Sequence, residues 1–214
     1  MGVKVFVLGR PGSGKSTGAR YIRYLAEQAS WSSAHFNDYH ILQEMFLADT
    51  EHKQFRPTEH NGFDAIDLSV LDCALQELER RVQLISATTD LVTIEFARDD
   101  YQAAFKHFSP AFLRDASVLF LHADLDTCLQ RVHERVSCAF SADDHPSFSD
   151  DIFKRYYAHD ETEYILTFLK HEYGIGQEVC VLNNMSGLEY LQRGLELFVQ
   201  NTLLLPSKVL SLTA

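Results

Sequence analysis

The sequence has few cysteines and no long apolar run. Four cysteines are scattered along the chain with no C-x-x-C pair: Cys73, Cys128, Cys138 and Cys180. This pattern indicates free thiols in a reducing compartment rather than disulfides or a zinc site. No stretch approaches the roughly 20 apolar residues that a membrane-spanning helix requires, and residues 1–8 are too short for a signal peptide. We therefore expect a cytoplasmic protein without a membrane partner.

Positive charge is also scarce. The chain has 19 lysines and arginines against 30 aspartates and glutamates, which gives a formal net charge of −11. This balance repels a phosphate backbone, so nucleic acid is not expected as the main partner. Only five of the 214 residues are proline and 46% are hydrophobic, which favours a folded chain with a full core. The length predicts a single domain over residues 1–214.

Short apolar runs alternate with amphipathic segments. Five runs predict β-strands: residues 3–8, 33–37, 91–96, 118–122 and 178–182. The clearest helix has an apolar stripe at 3-4-3-4-3 spacing from Leu68 to Ile85. Residues 39–63 show no such period and are expected to be irregular, because Pro57 and Gly62 interrupt them. The alternation predicts an α/β fold with a five-stranded, mainly parallel sheet and helices on both faces.

One motif carries specific chemistry. Residues 9–16 are Gly-Arg-Pro-Gly-Ser-Gly-Lys-Ser, a full match to G-x-x-x-x-G-K-[ST], between an apolar strand and a helix. In this pattern the glycines let backbone N–H groups turn inward around a β-phosphate. Lys15 can reach the β- and γ-phosphate oxygens, and Ser16 can supply a hydroxyl to magnesium. We predict that ATP with Mg²⁺ binds here, and that the contacts come from Gly9, Pro11, Gly12, Ser13, Gly14, Lys15, Ser16 and Thr17.

This loop, residues 9–17, resembles that of the nucleoside- and nucleotide-kinase-like P-loop proteins, especially the adenylate kinase group. The resemblance implies the three-layer P-loop NTPase fold, ATP and Mg²⁺ as cofactors, and transfer of a phosphoryl group to a small molecule. Residues 181–189 resemble the segment that borders the adenine in this superfamily, which implies a nucleotide contact from Asn184. The glycine-and-arginine pattern that follows the third strand in adenylate kinases is absent, and no single acceptor family is matched.

Other segments resemble parts of kinase sites in this class. Asp38 resembles the acidic residue that small-molecule kinases place near the acceptor hydroxyl. Glu95 and Arg98 resemble, with altered spacing, the acidic-plus-arginine motif of deoxynucleoside and thymidylate kinases. Residues 124–135 resemble the strand-to-lid helix of deoxynucleoside kinases, which implies that Arg131 and Arg135 face the phosphates.

The acidic candidates each have a second interpretation. Asp38 can accept a proton from the acceptor hydroxyl, or it can cap the segment that begins at Tyr39. Glu95, at the end of a strand, can hold magnesium or act as a base at the sheet edge where α/β folds bind ligands, or it can pair with Arg98. Arg98 can bind a phosphate or carboxylate of the acceptor, or it can be a surface charge.

A pair of arginines and two segments are expected to enclose the reaction. Arg131 and Arg135 are spaced i, i+4 and can act together on the transferring group, or they can pair with Glu134 or Asp126. Residues 136–157 suit a lid that excludes water, or a long surface loop. Residues 39–63 suit an acceptor-side insert. The aromatic cluster in and beside it either stacks an acceptor ring or forms a small core, and it consists of Phe36, Tyr39, Phe46, Phe55 and Phe63.

These observations predict a small-molecule kinase that phosphorylates a nucleoside, a nucleotide or a similar hydroxyl acceptor. Two alternatives remain open, a polynucleotide 5′-hydroxyl kinase and an ATP-dependent switch or adaptor without a metabolic acceptor. A homodimer is also left open by the sequence.

Overall fold

The computed structural model describes residues 2–58, 62–137 and 150–203, without the side chain of Val136. A central sheet is made of five strands, all parallel to their neighbours. They are β1 (Val3–Leu8), β2 (Ser33–Asn37), β5 (Leu91–Glu95), β6 (Ala116–His122) and β7 (Val179–Asn183). Their order across the sheet is β2-β5-β1-β6-β7. Two further strands, β3 (Phe55–Pro57) and β4 (Phe63–Ala65), form an antiparallel pair outside this sheet.

Helices cover both faces of the sheet. They are α1 (Lys15–Gln28), α2 (Asp38–Ala48), α3 (Ser69–Ile85), α4 (Tyr101–Phe105), α5 (Pro110–Arg114), α6 (Leu125–Ser137), α7 (Asp150–Tyr156), α8 (Thr162–Tyr164), α9 (Lys170–Glu172) and α10 (Leu188–Leu203). A π-helical segment, Ile165–Leu169, joins α8 to α9. None of the helices in the described residues is long and apolar enough to cross a membrane.

The central strand β1 separates two hydrophobic cores. Val5 and Val7 face α1 and α10, whereas Phe6 and Leu8 face the side covered by α2 to α5. This arrangement explains why β1 is apolar at every position except Lys4, since a central parallel strand is buried on both faces. The predicted three-layer α/β fold is confirmed, and the carboxyl ends of its strands meet at one edge of the sheet.

The prediction that residues 39–63 are irregular is wrong. Most of them belong to α2 and to the β3-β4 pair, and residues 59–61 lie outside the described residues. The sequence shows no helical period here because the apolar and aromatic residues of α2 are spread around the helix, and only Ile41 and Leu42 among them are buried. Its cap is Asn37, whose side chain accepts the His40 N–H at 3.0 Å, so the alternative role of Asp38 as the cap is also wrong.

The predicted apolar stripe of α3 needs a correction at its first residue. Leu68 precedes the helix and is 59% exposed, whereas Leu75, Leu78 and Val82 are buried as expected. Asp124 caps α6 as its position suggests, because its side chain accepts the Thr127 N–H at 2.7 Å.

Candidate active site

The phosphate loop, residues 9–16, connects β1 to α1 and relies on glycine at two close contacts. Gly12 and Gly14 both have positive φ values, 84° and 99°. A Cβ on Gly12 would lie 2.2 Å from the carbonyl oxygen of Cys128, and one on Gly14 would lie 2.5 Å from Asn184 Nδ2. The loop backbone therefore packs directly on α6 and on the segment after β7, and side chains at these positions would push it away.

Two side chains hold the loop from outside. Gly9 N–H donates a hydrogen bond of 2.9 Å to the Tyr101 hydroxyl, and Asn184 Nδ2 donates one of 2.8 Å to the carbonyl of Ser13. Burial raises the pKa of Tyr101 well above its ordinary value, so the hydroxyl stays neutral. Asn184 thus lies beside the loop as its predicted role requires, although its contact is with loop backbone.

Lys15 is buried in the loop, with only 7% of its surface exposed. Its Nζ donates a hydrogen bond of 3.0 Å to the carbonyl of Arg10. Burial lowers the pKa of Lys15, and the negative charges of Glu95 and Asp38 oppose that shift. The ammonium group therefore lies within the electrostatic reach of both carboxylates.

The predicted metal ligands meet at the end of β5. The Ser16 hydroxyl donates a hydrogen bond of 2.9 Å to Glu95 Oε1, and His35 Nε2 lies 3.7 Å from Glu95 Oε2. His35 is itself fixed by Thr93, whose Oγ1 lies 3.0 Å from His35 Nδ1. A hydroxyl and a carboxylate are hard oxygen ligands of the kind that Mg²⁺ takes. Ser16 and Glu95 therefore fit a magnesium site.

Asp38 and Arg98 form a buried ion pair. Arg98 Nη1 donates to Asp38 Oδ2 at 2.5 Å and to the carbonyl of Ala97 at 2.7 Å, and Nη2 donates to the carbonyl of Leu71 at 2.9 Å. The alternatives of an ion pair between Arg98 and Glu95 and of a surface charge are therefore both wrong. Arg98 fixes the orientation of the Asp38 carboxylate, and a role for it in acceptor binding remains a prediction.

The two arginines of α6 approach the loop in different ways. Arg131 donates to the carbonyls of Asn184 at 2.9 Å and Gly12 at 3.4 Å, so it joins the loop to the segment after β7. Burial raises the pKa of Tyr39 and lowers that of Lys15, and the positive charge of Arg135 acts on both groups by favouring their deprotonated forms, which places its guanidinium within electrostatic reach of both. Of the predicted lid, residues 138–149 lie outside the described residues, whereas Ile152 and Tyr156 of α7 line the cavity described next.

A single cavity of about 760 Å³ connects these groups. At one end it is lined by Asn184, Gly187 and Leu188, which follow β7. At the other it is lined by Tyr39 and Phe63, whose rings stack at 5.4 Å between centroids. Other predicted aromatics have a structural role, since Phe36 and Phe46 pack against the core. The aromatic cluster therefore contributes to the core, as one of its two interpretations has it, and stacking on an acceptor ring remains a prediction.

No family model and no curated protein matches the sequence. Solved structures do match over nearly the whole chain. Shikimate kinase from Acinetobacter baumannii in complex with shikimate is 13% identical, with a TM-score of 0.52 over 94% of this chain and 92% of that one. A sugar kinase from a Janibacter species is 15% identical, with a TM-score of 0.52 over 98% of each chain. Kti12 from Chaetomium thermophilum in complex with ADP-AlF3 is 14% identical, with a TM-score of 0.54 over 93% of this chain and 98% of that one.

The chain has a P-loop kinase-like fold. Within this kinase-like fold, sequence reasoning missed three residues that shape the site. Tyr101 and His35 belong to no motif, and each is placed by an element that contacts the loop or Glu95 only after folding. Arg10 occupies a variable position of the loop motif, and its guanidinium donates to the carbonyls of Ala123, Tyr157 and His159. No signal in the sequence points to these contacts.

Proposed function

We propose that the protein is a Mg²⁺- and ATP-dependent phosphotransferase that acts on the hydroxyl of a small molecule, such as a nucleoside or a nucleotide. The observation that supports this proposal best is the continuous cavity. It contains the phosphate loop, the Ser16 and Glu95 oxygens, and Asp38 beside an aromatic-lined compartment. Donor and acceptor could therefore occupy one continuous space, and their alignment is the main requirement of phosphoryl transfer.

In the proposed reaction the acceptor hydroxyl oxygen forms a bond to the γ-phosphorus, and the bond from that phosphorus to the β–γ bridging oxygen breaks. ADP leaves, and the hydroxyl proton passes to Asp38, which Arg98 holds in place. Lys15, Arg131 and Arg135 supply positive charge toward the transferring group. Ser16 and Glu95 would hold Mg²⁺, which neutralises charge on the β- and γ-phosphate oxygens when bound.

The direct test is ADP release from Mg-ATP in the presence of a panel of nucleosides, nucleotides, sugars, aminoglycosides and short oligonucleotides. Lys15→Ala serves as the blank, because it removes the charge at the phosphates. A stimulation by one acceptor class that is absent from Lys15→Ala supports a kinase and identifies the acceptor. Stimulation by oligonucleotides alone would favour the polynucleotide kinase alternative. A flat response across the panel, with ATP binding intact, would overturn the proposal.

A nucleotide-dependent switch is a second candidate, and the contacts of Arg10 favour it. This loop residue donates to the carbonyls of Tyr157 at 3.0 Å and of Ala123 at 3.1 Å, and Tyr157 directly follows α7. A movement of the loop on nucleotide binding would be transmitted to α7 through these bonds. Hydrogen exchange of residues 150–160 with and without Mg-ATP tests this coupling. The switch would be favoured if Mg-ATP slows hydrogen exchange in this segment and no acceptor stimulates ADP release.

A further inference from the structure

The cavity carries more positive charge than its nucleotide needs. Among the residues that the structure describes, seven cationic residues line it against three carboxylates, in a chain with a net charge of −11. The cationic residues are Lys15, Arg20, Arg23, Arg56, Arg98, Arg131 and Arg135. A concentration of one charge in a cleft of an otherwise acidic protein indicates an anionic ligand.

Most of these charges have an evident partner. Arg56 pairs with Asp64 at 2.9 Å, and Arg98 pairs with Asp38. Lys15, Arg131 and Arg135 lie at the phosphate loop, where the triphosphate would bind. Only Arg20 and Arg23, among the seven, have neither a carboxylate partner in the described part of the chain nor a place at the phosphate loop.

Arg20 and Arg23 differ from the other cations of the cavity in their contacts. Within residues 2–58, 62–137 and 150–203, neither side chain forms an ion pair or a hydrogen bond. Arg23 Nε is moreover buried, and it has no hydrogen-bond partner among those residues. A buried donor without an acceptor costs about 1–3 kcal/mol, so its retention favours a ligand that supplies the acceptor.

Both arginines lie on the same face of α1 as Ser16. They follow it at i+4 and i+7, a spacing that keeps side chains on one side of a helix. This face is turned toward β2, because Ser16 contacts Glu95 at one end and Glu27 accepts a hydrogen bond of 2.7 Å from the Ser33 hydroxyl at the other.

Arg20 and Arg23 lie near one edge of the sheet, and the nucleotide base is expected near the opposite edge. The strand β2 forms one edge of the sheet and β7 forms the opposite edge. Asn184 and Leu188, which follow β7, line the end of the cavity expected for the base. Arg20 and Arg23 line it from the face of α1 that is turned toward β2, and His35 and Asn37 of β2 also line it. An anion bound by these arginines would therefore belong to the other substrate.

We propose that Arg20 and Arg23 form an anion subsite for a phosphate or carboxylate group of the phosphoryl acceptor. This inference rests on the proposed function, since it assigns the chemical class of that acceptor. Along the axis of α1, the backbone positions of Arg20 and Arg23 lie about 6 Å and about 10 Å from that of Ser16. The subsite is thus separated from the magnesium ligands by about the length of a small molecule. Guanidinium groups bind phosphate and carboxylate with paired hydrogen bonds.

The first experiment compares related acceptors with and without an anionic group: adenosine with AMP, glucose with glucose 6-phosphate, and glucose with gluconate. In the wild type the anionic member of the active pair should have the higher kcat/KM. In Arg20→Gln and Arg23→Gln that preference should fall by about 10- to 100-fold, since each variant loses a charged hydrogen bond. The matched control is Arg193→Gln on α10, an exposed arginine that pairs with Glu189. An unchanged preference in both α1 variants would overturn the inference.

The second experiment does not depend on turnover. Binding of inorganic phosphate is measured by calorimetry on protein whose phosphate loop is filled with Mg²⁺ and a non-hydrolysable ATP analogue. We expect binding to the wild type and to Arg193→Gln, and at least about tenfold weaker binding to Arg23→Gln. Such a result without any acceptor-stimulated ADP release would support the anion subsite and contradict the phosphotransferase. Equal binding to all variants, or to none, would overturn the subsite even if an acceptor is found.

Discussion

Ser16 and Glu95 are 79 positions apart in the sequence and are joined by a hydrogen bond of 2.9 Å. The first residue lies in the first turn of α1, and the second is the last residue of β5. They meet because β1 and β5 are parallel neighbours, with Val7 opposite Glu95, so the loop that follows β1 lies beside the end of β5. The sheet order therefore brings the two oxygen ligands together.

The Glu95→Gln variant should weaken magnesium binding. Glutamine keeps an oxygen that can accept the Ser16 hydrogen bond, but it removes the negative charge that attracts the cation. We expect the Mg²⁺ concentration at half-maximal ADP formation to rise by at least about tenfold. The control is Glu189→Gln, which removes an exposed carboxylate on α10. Identical magnesium titrations for wild type and Glu95→Gln would contradict the assignment.

The Asp38→Asn variant should be less stable as well as inactive. It leaves the Arg98 guanidinium buried without its counter-charge, which in comparable sites costs about 3–5 kcal/mol. The double variant Asp38→Asn with Arg98→Met removes both charges and should recover part of the free energy of unfolding without recovering activity. Urea denaturation measures both values. If the double variant is no more stable than Asp38→Asn, the unpaired charge is not the cause of the loss.

The Tyr101→Phe variant should loosen the phosphate loop. It removes the acceptor of the buried Gly9 N–H and leaves that donor without a partner, at a cost of about 1–3 kcal/mol. We expect a lower free energy of unfolding and weaker ATP binding, measured by denaturation and by calorimetry. Tyr164→Phe is the control, because the Tyr164 hydroxyl bonds to Glu172 at an exposed position. Equal effects of the two variants would show that the Gly9 contact is unimportant.

The sequence allowed the sheet and the phosphate loop to be predicted because both depend on local patterns. Five apolar runs gave the strands, and β1 and β2 begin and end at the predicted residues. The positions of Asp38 and Glu95 at strand ends also followed from this pattern, since carboxyl ends of parallel strands share one edge.

The rest of the site depends on contacts between distant elements, which leave no local pattern. The pairing of Arg98 with Asp38 rather than with Glu95 is decided by how the chain turns after β5. The role of Tyr101 depends on α4, a helix of five residues that is too short to show a period. The helix α2 was missed because its aromatic residues pack on two sides at once, against the core and against the cavity.

Stability and nucleotide binding should both depend on the protonation of Lys15. In the nucleotide-free protein, burial lowers the pKa of Lys15 below its ordinary value of 10.5. The unfolded chain therefore binds this proton more tightly than the folded protein, over the pH range between the lowered pKa and 10.5. Because stability rises with pH wherever the unfolded state holds more protons, the free energy of unfolding should gain a rising contribution across that range.

The Lys15→Met variant isolates this contribution, since it removes the titrating group and keeps a long apolar side chain. Urea denaturation of both proteins at several pH values up to 10.5 should give curves that diverge, with the wild type gaining stability relative to the variant as pH rises. Phosphates bound at the loop favour the charged amine, so wild-type ATP affinity should fall with pH over the same range. Lys15→Arg, which stays charged, should keep its affinity there. Parallel stability curves for wild type and Lys15→Met would show that burial does not shift the Lys15 pKa.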